Sequence, residues 1–104
     1  MKVVISSNQT SASLNKRDWI AGLEKGLQMI EAFDDAHPRM TASQAGERCG
    51  MTRTAARRYL LTLAHLGYVA TDGKLFWLTP RVMRLGQSYL ESARLPRIVQ
   101  PSLQ

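Results

Sequence analysis

Arginine and threonine side chains are concentrated in one short stretch, TRTAARR at residues 52–58. If the stretch is helical, with about 100° between residues, Thr54, Arg57 and Arg58 share one side and Arg53 lies on its flank. A guanidinium group pairs with two acceptors on guanine, and threonine offers both a hydroxyl and a methyl group to a base. These residue types therefore favour contact with nucleic acid.

The segment that must position them, residues 41–69, has the spacing of a helix-turn-helix. Thr41 followed by Gln44 fits a capping box at the start of the first helix. Gly50 supplies a left-handed residue that ends this helix, and Thr52 is a second N-cap. Two short helices joined at Gly50 are therefore predicted.

The second of these helices is predicted to be amphipathic. Counted from Ala56, the residues on its buried arc are Tyr59, Leu60, Leu63, Leu66 and Gly67. Leu61 and His65 fall on the opposite side, together with Thr54 and the arginines. The exposed face thus presents arginine and threonine near the helix N-terminus, where a recognition helix meets base edges in the major groove.

A β-hairpin is predicted directly after the second helix. Residues 68–71 and 74–78 have strand character, and Asp72-Gly73 favours a two-residue turn. A helix-turn-helix followed by a hairpin is a winged helix. The predicted fold class is therefore mainly α with a small β-hairpin, a winged helix-turn-helix.

Further helices are predicted on both sides of this motif. The first runs from Trp19 to about Ala36, with Asp18 as its cap, and is expected to be the scaffold on which the other two pack. Its apolar arc consists of Trp19, Ile20, Leu23, Leu27, Ile30 and Phe33. The chain is divided into a flexible arm at 1–17, the winged helix-turn-helix at 18–79, and a helix with linker at 80–104.

The last helix is predicted to start at Thr79-Pro80 and to end near Ala93. Its apolar face consists of Val82, Leu85, Gly86, Tyr89 and Ala93. Met83 and Leu90 widen this stripe, which suits either packing on the domain's own core or contact with a second copy.

Charge and composition exclude several function classes. Of the net charge of +6, residues 1–37 contribute four basic and five acidic side chains, and residues 38–104 contribute ten basic and three acidic. The excess of basic side chains in residues 38–104 suits a phosphate-facing surface. The single Cys49 cannot form an intramolecular disulfide, and no run suits a membrane span or signal peptide. A soluble, cytoplasmic protein is expected.

Catalysis is not expected, because the components of a catalytic site are missing. The chain has one cysteine, two unpaired histidines (His37, in a turn, and His65, on the exposed face of the second helix) and no clustered carboxylates. Neither a zinc site nor a nucleophile–base pair can be assembled from them. We therefore predict no enzyme activity, no metal and no cofactor.

The predicted contact residues divide by the part of DNA that they reach. Base edges are assigned to Arg53, Thr54 and Arg57, and phosphates to the helix-start residues Thr41, Ser43 and Thr52. Arg58 is expected to contact either the DNA backbone or the carboxylate of Glu47. Lys74 lies at the hairpin tip. It is expected either to contact DNA, at a phosphate or in the minor groove, or to be a solvated turn residue.

A winged-helix module for protein or RNA contact is the alternative function. Phe76 and Trp77 could stack on bases, although one of two adjacent strand residues normally packs inward. A duplex-DNA reader should show a sequence preference on duplex DNA, whereas a module for protein or RNA contact should not.

The chain from about Trp19 to Gln104 resembles the N-terminal part of IclR-type bacterial transcription regulators. The resemblance is carried by GLEKGL at 22–27, residues 41–69, LFWLTP at 75–80, and Leu85-Gly86. Within that family, MTRTAARR at 51–58 and TPRV at 79–82 are most similar to the PcaU, PcaR and PobR branch. That branch regulates the breakdown of protocatechuate and 4-hydroxybenzoate.

The resemblance implies the DNA-binding module of a regulator of aromatic-compound catabolism, with a double-stranded operator as its partner. Family members continue into a C-terminal effector domain that binds a small aromatic or keto acid and helps assemble dimers or tetramers. Since the chain ends in the linker after Leu103-Gln104, as a truncated or naturally shortened product would, that domain is expected to be absent. A weak homodimer through residues 80–104 is also expected.

Overall fold

A computed structural model describes residues 14–93 of the chain. In order, the elements are α1 (Ala21–Glu31), β1 (Arg39–Thr41), α2 (Ala42–Cys49), α3 (Arg53–Leu66), β2 (Val69–Thr71), β3 (Leu75–Leu78) and α4 (Met83–Ala93). Single turns of 3-10 helix precede α1 at Lys16–Asp18 and α4 at Pro80–Val82. This confirms the predicted winged helix-turn-helix. Most of the predicted arm and the linker after residue 93 lie outside the described residues.

The capping residues of the helix-turn-helix act as predicted. The Thr41 hydroxyl accepts from the Gln44 amide at 3.2 Å, and Gln44 Oε1 accepts from the Thr41 amide at 2.9 Å. Gly50 ends α2 with a left-handed φ of 69°, and the Thr52 hydroxyl accepts from the Ala55 amide at 3.1 Å. These local bonds define where both helices begin and where α2 stops.

The α2–α3 crossing depends on a close backbone approach at Gly46. The Gly46 carbonyl accepts from the Met51 amide at 2.9 Å, which folds the turn against α2. A Cβ atom on Gly46 would stand 2.7 Å from the Met51 carbonyl oxygen and 3.2 Å from that of Thr52. Contact between α2 and α3 is the most extensive between any two described elements.

The buried face of α3 is mostly the predicted one. Ala56, Leu60 and Leu63 are buried, and Tyr59 is half-buried. Leu66, however, is 52% exposed, so its predicted burial is wrong. It lies in the final turn, where the chain leaves the helix at Gly67 and no described element covers it.

The core joins α3 to the other helices and the sheet. Its buried apolar residues are Met29, Ala32, Phe33, Met40, Ala42, Ala45, Ala56, Leu60, Leu63, Val69 and Phe76. The largest fully buried side chains come from α1, β1, α3 and β3. One core therefore holds all the elements from α1 to β3.

The wing belongs to a three-stranded antiparallel sheet in the order β1-β3-β2, whereas the sequence predicted two strands. Strand β1 pairs Met40 with Phe76, and both side chains are fully buried. Phe76 packs inward and Trp77 remains half-exposed, which confirms the expected alternation. Thr71 pairs with Phe76, so the chain reverses at Gly73 and Lys74, one position later than predicted.

Helix α1 is shorter than predicted. Asp18 lies in the separate 3-10 turn, so its predicted role as cap is wrong; Ile20 is the N-cap and makes no side-chain bond. Burial is limited to the C-terminal end of the predicted arc, where Phe33 is buried and Ile30 packs against the core. The exposed residues of the arc, between 42% and 66% accessible, are Trp19, Ile20, Leu23 and Leu27.

Helix α4 forms as predicted but buries none of its residues. The Thr79 hydroxyl accepts from the Arg81 amide at 3.3 Å, which confirms the cap, although the first turn is a 3-10 helix. Met83 is 72% exposed, and Leu85 and Tyr89 are also exposed. Core packing and contact with a second copy, the two alternatives for this stripe, both stay predictions; within the described residues, α4 contributes nothing to the buried core.

Asp34 ties the end of α1 to α2. Its Oδ1 accepts from the amides of Ala36 and His37, at 3.0 and 2.9 Å, while Oδ2 accepts from Arg48 Nη2 at 3.0 Å. Arg48 Nε also donates to the Ala32 carbonyl at 3.0 Å. The side-chain hydrogen bond with His37, followed by the His37 amide and the charge of Arg48, lowers the pKa of Asp34.

The first prediction concerns Gly46. Gly46→Ala should destabilise the domain by roughly 1–3 kcal/mol, because the new methyl group would meet a backbone carbonyl. Gly26→Ala, in the open middle of α1, is the matched control. It should stabilise by about 0.5–1 kcal/mol, since alanine is the better helix former. Urea unfolding measures both variants, and equal effects would refute the close approach.

The second prediction is a pH dependence. Because the pKa of Asp34 lies below its usual value of 3.8, its ionised form stabilises the fold above that value. This contribution is lost as pH falls through the folded pKa. Asp34→Asn should therefore lower the free energy of unfolding at neutral pH and flatten its decrease as the pH falls below about 4. Asp35→Asn is the control in thermal melts, and matching profiles for the two variants would contradict the prediction.

Candidate nucleic-acid interface

The three predicted base-contact residues lie at the exposed start of α3. Arg53, Thr54 and Arg57 are all exposed. Arg53 and Arg57 are one turn apart, about 6 Å along the axis. The helix has three arginines and no carboxylate, and its opposite face is part of the core. The fold thus holds a basic helix face rigidly toward solvent.

No intramolecular ion pair neutralises these arginines within the part of the chain that the structure describes. Both ion pairs of residues 14–93 use Asp34, with His37 and with Arg48. The Arg58–Glu47 pair that the sequence left open is not formed. Arg58 is exposed beside Tyr59 and Thr62, and its carbonyl accepts from the Thr62 hydroxyl at 2.8 Å.

The predicted phosphate contacts lie at the starts of α2 and α3. Thr41 and Thr52 use their hydroxyl oxygens as acceptors in the caps. Each hydroxyl proton can still be donated to a phosphate oxygen. Ser43 is exposed in the first turn of α2. The caps that define the two helices therefore leave a hydroxyl donor at the start of each helix.

The wing turn is shaped by Asp72. Its Oδ1 accepts from the amides of Lys74 and Leu75, at 2.9 and 2.8 Å. These two hydrogen bonds lower the pKa of Asp72, and the bond from the Leu75 amide has the larger effect. This carboxylate therefore holds the turn that exposes Lys74.

The structure brings the eight predicted residues into two groups. The β1–β3 register sets Thr41 opposite Leu75, so the start of α2 lies beside the wing tip. One group consists of Thr41, Ser43 and Lys74. The other, along the start of α3, consists of Thr52, Arg53, Thr54, Arg57 and Arg58.

Arg39 is an exposed cation that the sequence analysis did not single out. Its Cζ lies 4.1 Å from the centroid of the Trp77 ring, across the β1–β3 pair. A strand of three residues gives too short an alternation to be identified from sequence, so the pairing of Arg39 with Trp77 was not predicted.

The remaining reactive groups of residues 14–93 form no cluster of three or more metal-ligating side chains. Burial raises the pKa of the Cys49 thiol, whose sulphur lies 3.8 Å from the Gln28 carbonyl oxygen. Cys49 is half-buried and packs against the core. None of the described helices has the length and apolar character needed to cross a membrane.

Comparison with known proteins gives a consistent result. Residues 22–73 match the IclR helix-turn-helix domain. Over 94 residues, 90% of this chain and 35% of the relative, the sequence is 51% identical to the p-hydroxybenzoate hydroxylase transcriptional activator of Acinetobacter baylyi. The Pca operon regulatory protein of the same organism is 40% identical over 96% of this chain and 36% of its own length.

Solved structures share the architecture. A transcriptional regulator from a Rhodococcus species superimposes with a TM-score of 0.68 and 52% identity, over 80% of this chain and 33% of that one. An IclR family transcriptional regulator from Brucella abortus gives a TM-score of 0.67 and 25% identity, over 72% and 30%. The chain spans about a third of the length of the curated relatives it matches.

Proposed function

The chain belongs to the IclR family of transcription regulators and includes its DNA-binding domain, and from this premise we propose how that domain reads DNA. The start of α3 enters the major groove of a duplex operator. Arg53, Thr54 and Arg57 contact base edges, and the helix-start hydroxyls of Thr41 and Thr52 contact phosphates.

One observation carries this proposal: the exposed half of α3 has arginines and no carboxylate, while its other half is fixed in the core. A rigid helix can hold a guanidinium in the orientation that paired hydrogen bonds to guanine require. Arg58, which makes no ion pair with Glu47, is assigned to the DNA backbone together with Ser43 and Lys74.

We also propose that the regulated genes serve aromatic-compound catabolism. Two relatives at 51% and 40% identity are named for the p-hydroxybenzoate hydroxylase gene and the pca operon. The relatives are regulators, so we assign the chain no enzymatic activity. Since a bacterial operator lies in the cytoplasm, we assign the protein to that compartment.

The third prediction separates base reading from phosphate contact. Arg57→Ala should cost about 1–3 kcal/mol on a duplex selected from random DNA, and much less on a scrambled duplex. Arg58→Ala, on the adjacent residue, should weaken both duplexes equally, because phosphate contacts carry no sequence information. Titration of both variants on both duplexes makes the comparison.

Two outcomes would contradict this assignment. Equal losses on both duplexes for Arg57→Ala would exclude a base-reading role for that residue. Wild-type protein that binds single-stranded RNA as tightly as the selected duplex would favour the RNA-contact alternative. Neither result depends on knowing the natural operator.

We further propose that two copies pair on the operator through α4. Its apolar residues lie on one side of the helix, none of them is buried, and Met83, Leu85 and Tyr89 are exposed. In a two-fold dimer the same surface serves both copies, and two recognition helices then meet two half-sites. A single helix is a small surface beside a standard interface of about 1,600 Å², so the DNA-free dimer should be weak.

The fourth prediction tests this pairing. Tyr89→Glu places a charge on the apolar side of α4, whereas Ser88→Glu adds the same charge on the polar side. On DNA with two inverted half-sites, Tyr89→Glu should abolish cooperative binding, and Ser88→Glu should retain it. Sedimentation with and without this DNA checks the result. Cooperative binding by Tyr89→Glu would show that pairing uses another surface.

A further inference from the structure

The outer face of the sheet displays a cation over an aromatic ring. Met40 and Phe76 are fully buried, so the residues that alternate with them in β1 and β3 point away from the core. Arg39 and Trp77 are directly paired in that outer row, and the guanidinium carbon lies 4.1 Å from the ring centroid. Arg39 itself is exposed.

This stack orders the Arg39 side chain without using its donors. A guanidinium held over an indole is attracted by the ring face, while its N–H groups point outward in their own plane. Within residues 14–93, Arg39 is in neither ion pair and in no side-chain hydrogen bond. Arg48, in contrast, uses its donors on Asp34 and on the Ala32 carbonyl.

The position of Arg39 links it to the wing and to α2. Thr41, two residues further along the same face of β1, caps α2 and pairs with Leu75, which follows Lys74 at the wing turn. The Leu75 and Lys74 amides lower the pKa of Asp72 most, and the charge of Arg39 adds to this effect. The β1–β3 register therefore places Arg39 on the sheet face that leads to the wing turn.

We propose that Arg39, held in place by Trp77, is a phosphate-contacting residue of the DNA interface beside the wing. The inference rests on the proposed DNA-binding function. An ordered guanidinium with free donors fits a phosphate oxygen pair, and less side-chain entropy is lost on binding because the stack already restricts the side chain. Trp77 acts as a positioning residue and reads no base.

The experiment titrates the full chain on a selected duplex and a scrambled duplex at several salt concentrations. Arg39→Ala should lose roughly tenfold in affinity on both duplexes. The slope of log affinity against log salt should fall by about 0.9, the value for one phosphate contact. The melting temperature should fall by only a few degrees, because an exposed cation–π pair contributes little to stability. Arg84→Ala, an exposed arginine on α4, is the charge-matched control and should leave both the affinity and the slope near wild type.

A double-mutant cycle tests the role of the ring. Trp77→Leu should weaken binding on its own but cause no further loss in the Arg39→Ala background. If Trp77→Leu does not fold, Trp77→Phe provides a smaller step in the same cycle, because it keeps an aromatic face. Equal losses from Trp77 substitution in both backgrounds would overturn the positioning role.

Other outcomes separate this inference from the function beneath it. If wild type binds the selected duplex but Arg39→Ala matches Arg84→Ala, the inference is wrong and the proposed function stands. A loss confined to the selected duplex would make Arg39 a base reader and overturn the phosphate assignment. If the wild-type protein binds no duplex, both the role of Arg39 and the proposed DNA-binding function are wrong.

Discussion

Gly46 has no side chain at the point where α2 packs against the turn into α3. The position of α3, the proposed recognition helix, depends on this close approach. A Cβ there would stand 2.7 Å from the Met51 carbonyl oxygen, closer than real Cβ contacts allow. The two helices contribute the small residues Ala42, Ala45 and Ala56 to the buried core, as a close crossing requires. Any wider crossing would move the start of α3, and with it the arginines, relative to the sheet.

The charged side chains of the domain are divided between internal contacts and the exposed surface. The carboxylate of Asp34 is used internally, where it fixes the α1–α2 junction through Arg48. Asp72 is likewise used in the wing turn, by two amides. The arginines of α3 have no carboxylate partner among the described ion pairs, so their charge is directed to solvent. A domain arranged in this way can bind an anionic partner without first breaking ion pairs of its own.

Sequence predicted the features that are local. The capping box at Thr41, the stop at Gly50 and the cap at Thr52 depend on residues within four positions of each other, and all are present. Features set by distant residues were missed or misplaced. Strand β1 exists because Met40 pairs with Phe76 far along the chain.

The exposure of side chains and the geometry of the proposed site also depend on residues that are distant in sequence, so the sequence predicted them only in part. Periodicity identified the apolar side of α1 and α4, but which part of it is covered depends on where the neighbouring elements end. On α3 the pattern succeeded, since the helix is packed along its length except at Leu66. The Arg39–Trp77 stack lies across two strands and has no signature in either segment alone.

Selection from a random duplex library, followed by sequencing, tests the central claim that the start of α3 reads a DNA sequence. We expect strong enrichment of one short motif with guanine at fixed positions, where the arginines of α3 meet the major groove. Loss of preference at one of those positions in the Arg57→Ala library would connect the motif to the helix. A library that emerges without enrichment, although the protein binds it, would show that the arginines contact phosphates alone and that α3 does not read a DNA sequence.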